Sequence, residues 1–364
     1  MTLRDILKCT NFAPVIKRIR FECKNGFKIL CYLKKKRTLL GVAFVLANWG
    51  VSLAQVRNDS LAEDFRVMAA RNFSRYRTVN FSWEMDADHD YSFGLDGKEQ
   101  EKGRRQTVHT LRFSTMLPIV KSHKASLYAN VQYNSYNFDR KGKGDSEIFT
   151  EDSYDHYVGG LNGSYYASLF KRPLILSADV FVDGWRKGWG ELQGRFVAMM
   201  VLKNTPQTSF SVGLMGMTLY SSTPVLPVIT YWHRFGNPNL SLDISLPSQM
   251  YLRYQMHRQR LSVGASMNAD NFYLRSDLTG TTQVYWYNEV VVKPEIHYEY
   301  IINQQFYLSA RVGCSALMKG GLYTRKRKEV MIADEGSGGM ESFLKLERSA
   351  VPFFNVGVSY SLFR

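Results

Sequence analysis

The sequence predicts an all-β protein, an antiparallel transmembrane β-barrel of about fourteen strands, and three observations carry that expectation. Beyond residue 75 apolar and polar residues alternate with period two, as in Leu174, Leu176, Ala178, Val180 and Val182 against Ser177, Asp179 and Asp183. Connections alternate in length, with short turns after even-numbered segments and several long polar stretches after odd-numbered ones. The aromatic fraction is 14%, with 22 Tyr and 22 Phe, and bulky rings favour pleated surfaces and water–lipid boundaries.

Taken in chain order, residues 1–54 read as a secretory signal with a long basic preface. The cluster Lys34 to Arg37 precedes an apolar run from Leu39 to Ala47, and the small residues Ser52 and Ala54 place cleavage between Ala54 and Gln55. A membrane anchor is the competing reading, but the run falls short of the ~20 residues a spanning helix needs, and Asn48 and Trp49 end it. No Cys follows Ala54 directly, so a lipoprotein site is not expected. This leader holds 11 of the 47 Lys and Arg and 2 of the 32 acidic residues, leaving 36 minus 30, or +6, for the rest. The formal charge of +15 is therefore mostly a property of the leader, and a nucleic-acid partner is not expected. Cys9, Cys23 and Cys31 would leave with it, so Cys314 alone remains and no internal disulfide is expected.

Residues 55–74 read as a periplasmic extension, with a short helix over 59–73 capped by Asp59 or Ser60. From 75 to 364 fourteen alternating segments follow, near 75–85, 107–117, 125–138, 153–169, 174–185, 191–203, 208–220, 227–235, 239–246, 249–257, 260–274, 285–301, 305–317 and 353–364. Most match the ~9 to 11 residues of a tilted membrane strand. The turns PIVKSHK, FKRP, NTPQ, GNPN, HRQR and NQQ fall on one side, and long loops at 86–106, 139–152 and 319–352 on the other. The very short STPVLP and LPS connections leave twelve strands open as an alternative.

In the last segment Phe354, Val356, Val358, Tyr360 and Leu362 share one parity, expected to face lipid, and pairing with the first segment removes both sheet edges. Asn355, Gly357, Tyr360, Leu362 and Phe363 resemble the C-terminal signal read by the outer-membrane barrel assembly machinery, with Arg364 as a departure at the terminus. The block from Ser221 to Ser266, with Pro-Val-Leu-Pro at 224–227 and Leu-Pro-Ser at 246–248, is similar to an uncharacterised Gram-negative barrel family described only as a domain of unknown function. That resemblance implies the outer membrane and lends no substrate.

With the apolar parity outside, the opposite parity lines the lumen. The candidates there are Arg112, Asp179, Asp183, Arg195, Asp243, Arg253, Glu289, Lys293, Glu295, His297, Glu299 and Arg311. Mixed charges of this kind suit a polar, porin-like passage for a small solute, or equally an interior packed by ion pairs in a closed barrel that binds a surface partner or stiffens the envelope. A lipid-modifying enzyme is the third reading. It needs a nucleophile and an oriented base, and the scattered histidines offer only His297, between Glu295 and Glu299, with no matching nucleophile. No enzyme activity, cofactor or metal site is expected; Asp86, Asp88 and Asp90 alternate as calcium ligands do, but Tyr91 and Gly97 stand where that motif needs Gly and an acid. Outer-membrane lipid and lipopolysaccharide are the expected surroundings.

Overall fold

The computed structural model describes residues 77–95, 98–122, 124–138, 148–217, 225–276, 283–303, 305–324 and 344–361. The expected leader, the 55–74 extension, Leu362 and Phe363 lie outside them. In order the strands are β1 (Val79–Asp86), β2 (His89–Leu95), β3 (Lys98–Arg105), β4 (Val108–Lys121), β5 (Ala125–Phe138) and β6 (Ser153–Leu169). Next come β7 (Arg172–Trp185), β8 (Gly188–Asn204), β9 (Thr208–Met217), β10 (Val225–Arg234), β11 (Leu240–Leu246) and β12 (Gln249–Met256). The chain closes with β13 (Gln259–Ser276), β14 (Gln283–Ile301), β15 (Phe306–Thr324), β16 (Leu344–Arg348) and β17 (Val351–Tyr360).

Fourteen of these are the staves of a closed antiparallel barrel. β1 pairs with β4 on one side and with β17 on the other, in the register Val79↔Tyr360 to Asp86↔Phe353, so the first and last staves close the ring. β2, β3 and β16 are outer extensions: β2 and β3 form a hairpin, and β16 bridges β2 to β15. The stretch 86–106, expected as a polar loop, is thus largely strand. The expected loop 319–352 likewise gives its ends to β15, β16 and β17. Strand formation continues there because β15 and β2 offer edges on which β16 completes a ladder.

Large apolar side chains on one parity are exposed, Leu161, Val180, Phe196, Val263, Val312 and Val358 among them. The other parity carries buried polar groups, including Ser211, Ser262, Glu299 and Ser359. Outside a barrel this would be inverted; in lipid it is the arrangement expected. The turns on the periplasmic side are short, and local chemistry explains them. Phe170 and Lys171 both take positive φ, 52° and 60°, as a two-residue hairpin with right-handed twist requires. Asn303 accepts the N–H groups of Gln305 and Phe306 at 2.9 and 2.8 Å, closing an Asx turn.

The wall is uneven. β11 and β12 have 7 and 8 residues, whereas β13, β14 and β15 have 18, 19 and 19. At ~3.4 Å per residue and ~40° tilt, the first pair spans roughly 20 Å and the others roughly 50 Å, against an apolar band of about 25 Å. Pairing of β12 with β13 stops at Gln249↔Ser266, so among the described residues the outer part of β13 has a strand partner on the β14 side only.

Candidate functional site: the lumen and its outer roof

The excess length of β13 to β15 does not stand free. β6 is the fourth stave and β13 the eleventh, half a barrel away, yet Phe272 stacks on Tyr154 with centroids 4.8 Å apart. From the other face of β13, Tyr273 stacks on Trp185 of β7 at 4.3 Å and donates to Asp183 at 2.9 and 3.0 Å. Arg112 of β4 reaches Asp270 at 2.8 Å, and Tyr136 of β5 donates to the same carboxylate at 3.2 Å. The outer end of β13 therefore leans into the mouth, one face against β5 and β6 and the other against β7. A Cβ at Gly190 would collide with Asp183 and with the Tyr273 hydroxyl, so glycine there admits this close approach.

Above the contact lies an aromatic layer. Tyr91, Phe93, Phe149, Tyr154, Phe272 and Tyr287 belong to one buried cluster with Leu322, Leu344 and Leu346. Arg105 of β3 sits inside it, its guanidinium 4.3 Å from the Phe149 ring and 3.2 Å from the Tyr287 hydroxyl. Such cation–π placement lets a charge be buried among rings. Glu289 compensates it: Arg348 binds at 2.5 Å, Tyr287 donates to it, and Arg105 lies at 3.8 Å. A cavity of about 30 Å³, enough for water, is lined by Asp86, His89, Arg105 and Glu289. Asp86 Oδ1, His89 Nε2 and Arg105 Nη2 find no protein partner there. Burial, then the Arg105 charge, pushes the His89 imidazole down to about 4; His89 is on β2, beyond the staves.

The twelve lumen candidates all lie on the inner parity, and the structure joins them to partners. Arg112 and Lys293 meet on Glu84 at 2.8 and 2.7 Å. Asp179 takes Arg195 at 2.6 Å and the amide of Asn162. Asp183 holds Tyr273 and His156, the latter at 3.3 Å. Arg253 pairs with Asp243 at 2.8 Å. Glu295 accepts from Tyr251, with Arg311 at 3.8 Å, and Glu299 takes Arg77 and Arg260, with His297 3.9 Å away. Of the C-terminal residues, Asn355 turns inward and donates to Glu84 at 3.2 Å, Gly357 pairs with Ser82 and Ser309, and Tyr360 packs on Phe306 at 4.7 Å.

Several members were not singled out from sequence. Glu84 lies in the first expected segment on the same parity as Asn80 and Ser82, and the parity rule applied there finds it. Asp270 and Tyr273 required knowing that β13 crosses the mouth. Arg105 and Arg348 fall in stretches expected as loops.

A closed, apolar-banded barrel with polar residues on its inner parity and short turns on one side is the fold of an outer-membrane β-barrel protein. The family described as Domain of unknown function (DUF6268) matches residues 174–361, more than half of the chain, and the protein belongs to that family. No curated protein matches. Among solved structures the fold is similar to the Salmonella typhi outer membrane phospholipase, at 11% identity and a TM-score of 0.32, over 79% of this chain and 93% of that one. It is also similar to a Pseudomonas aeruginosa FadL homologue, at 9% and 0.28 over 79% and 91%, and to the Escherichia coli outer membrane protease OmpT, at 8% and 0.26 over 78% and 96%. At these values the likeness concerns the fold and carries nothing about activity.

Proposed function

We propose that the protein is a gated outer-membrane passage for a small polar solute, shut in this state by the outer ends of β13 to β15, and with no catalytic role. The observation that carries the reading is the nature of the seal. β13 meets β6 and β7 through rings and a tyrosine hydroxyl, and β4 through the Asp270–Arg112 ion pair, with no backbone ladder to any of them, over a lumen in which the Arg195 side chain remains half exposed. Side-chain latches of this kind part at far lower cost than a ladder. The second reading, a permanently closed barrel that binds at its surface or stiffens the envelope, is favoured by the thoroughly buried aromatic layer.

Conductance of the purified, folded chain in a planar bilayer separates them. The gated reading expects a wild type that is nearly silent and a Tyr273→Phe, Asp183→Asn double variant that shows frequent conducting steps. Silence from both, with folding verified by the heat-dependent gel shift of barrels, would establish the closed barrel instead.

A further inference from the structure

The lumen charges nearly balance by count, yet they are not presented equally. In the pair Arg195–Asp179 the arginine side chain is 47% exposed and the carboxylate 5%; in Arg311–Glu295 the values are 34% and 1%, and in Arg112–Glu84 25% and 6%. Arg77, Arg253 and Arg260 follow the same order against Glu299 and Asp243. The exceptions, Lys293 with Glu84 and the arginines on Glu289, sit where both partners are buried. In each of the six pairs the carboxylate is thus the more buried partner and the arginine side chain the more exposed one, most clearly at Arg195 and Arg311. Arg195 is on β8 and Arg311 on β15, the sixth and thirteenth staves, so the two most exposed arginine side chains of these pairs occupy opposite walls. Arg77 and Arg260 are at the periplasmic rim, Arg253 and Arg311 higher, and Arg195 and Arg112 higher still.

From this we infer that the lumen below the roof is an anion-binding chamber, taking small solutes that carry a phosphate or carboxylate group. An ion entering it meets positive ends first, and the low-dielectric wall focuses that field. Guanidinium groups offer paired N–H donors that match the oxygens of both anions. The inference concerns the same lumen as the gated reading and does not require passage: a chamber that binds and never conducts would leave it standing.

The test is titration of the folded full-length chain in detergent micelles with inorganic phosphate and, separately, acetate, followed by calorimetry. Saturable binding of either anion is expected, with phosphate alone pointing to a phosphorylated solute and acetate alone to a carboxylate. Arg195→Gln with Arg311→Gln should weaken it about tenfold or more, while the Lys pair at the same positions retains most of it. Asp179→Asn, which frees Arg195, should tighten it and guards against a Gln pair that folds poorly. No saturable binding to folded wild type, or affinities indifferent to both the Gln pair and Asp179→Asn, would overturn the inference. In the latch-released double variant, ion selectivity should favour anions, and more so when Glu295→Gln is added; cation selectivity would overturn it equally.

Discussion

The low wall of β10 to β12 and the tall wall of β13 to β15 are built from the same alternation, and they bury it differently. On β11 and β12 the outward Leu246, Met250 and Leu252 are 44%, 48% and 44% exposed, as lipid contact requires. On the tall wall the outward parity begins the same way, with Ile296 and Val312 exposed, but ends in Tyr273, Trp286 and Tyr323, all under 5% exposed. Strands that outrun the bilayer carry apolar surface into water on both faces, and that surface is stable only when something covers it. Folding over the mouth covers it. Length beyond the membrane, more than residue type, is what turns this part of the wall into a roof.

The largest effect expected is where a buried cation of the tall wall, Lys293 of β14, shares the Glu84 carboxylate of β1 with Arg112 of β4. Glu84→Ala leaves Lys293 and Arg112 without their shared carboxylate in a buried site and should cost about 3–5 kcal/mol. Urea unfolding in detergent reads this; a loss below about 1 kcal/mol would mean that water already reaches the pair. Height is tested next. Leu252→Arg, on the lipid face of the low wall, should cost about 2–4 kcal/mol. Met318→Arg, outward and 62% exposed on β15, should cost under about 1 kcal/mol, because twelve residues of tilted strand from Phe306 place it roughly 30 Å up, above the apolar band. Equal penalties would place both at one depth and remove the distinction between the walls.

The roof should also respond to acid. His89 is neutral when folded, with its value lowered to about 4 from an ordinary 6.5. Its contribution is full above pH 6.5 and is lost as pH falls toward 4, since only the unfolded chain then takes the proton readily. Between pH 7 and 4.5 wild type should lose about 2 kcal/mol more than His89→Gln, read as the difference in their urea midpoints. Tyr273→Phe is milder, about 1.5 kcal/mol for the lost bonds to Asp183. Its unfolding should remain a single transition while the outer amides of β13 exchange faster; unchanged exchange would sever the latch from the roof.

The barrel was legible because lipid enforces a strict rule on each strand. All fourteen expected segments coincide with staves, and even the short β11 and β12, where twelve strands remained an alternative, obey the parity. The same rule put the twelve polar candidates on the inner parity, while it was not applied to Glu84. What did not follow was tertiary: nothing local to Phe272 or Asp270 says that β13 crosses the lumen, and nothing in Arg105 distinguishes a loop cation from one packed on Phe149. Charge count was also misleading in one respect. In the sequence Asp179 and Arg195 look equivalent, and only the structure shows the carboxylate buried and the arginine side chain half exposed.

The smallest effect belongs to the tip between β7 and β8, where two ion pairs look alike. Lys187 meets Glu151 at 2.7 Å, and Arg186 meets Asp155 at the same distance. Both partners of the first are more than 40% exposed, so Glu151→Gln should change stability by less than about 0.5 kcal/mol, and less still in high salt. Asp155 is 4% exposed at its side chain and also accepts from Tyr133, so Asp155→Asn should cost about 1–2 kcal/mol and keep most of that cost in salt. Matching losses for the two variants would mean that distance governs these contacts. A split along burial would show that even at the water-exposed tip, as in the walls below it, what lies behind a charge decides what its partner contributes.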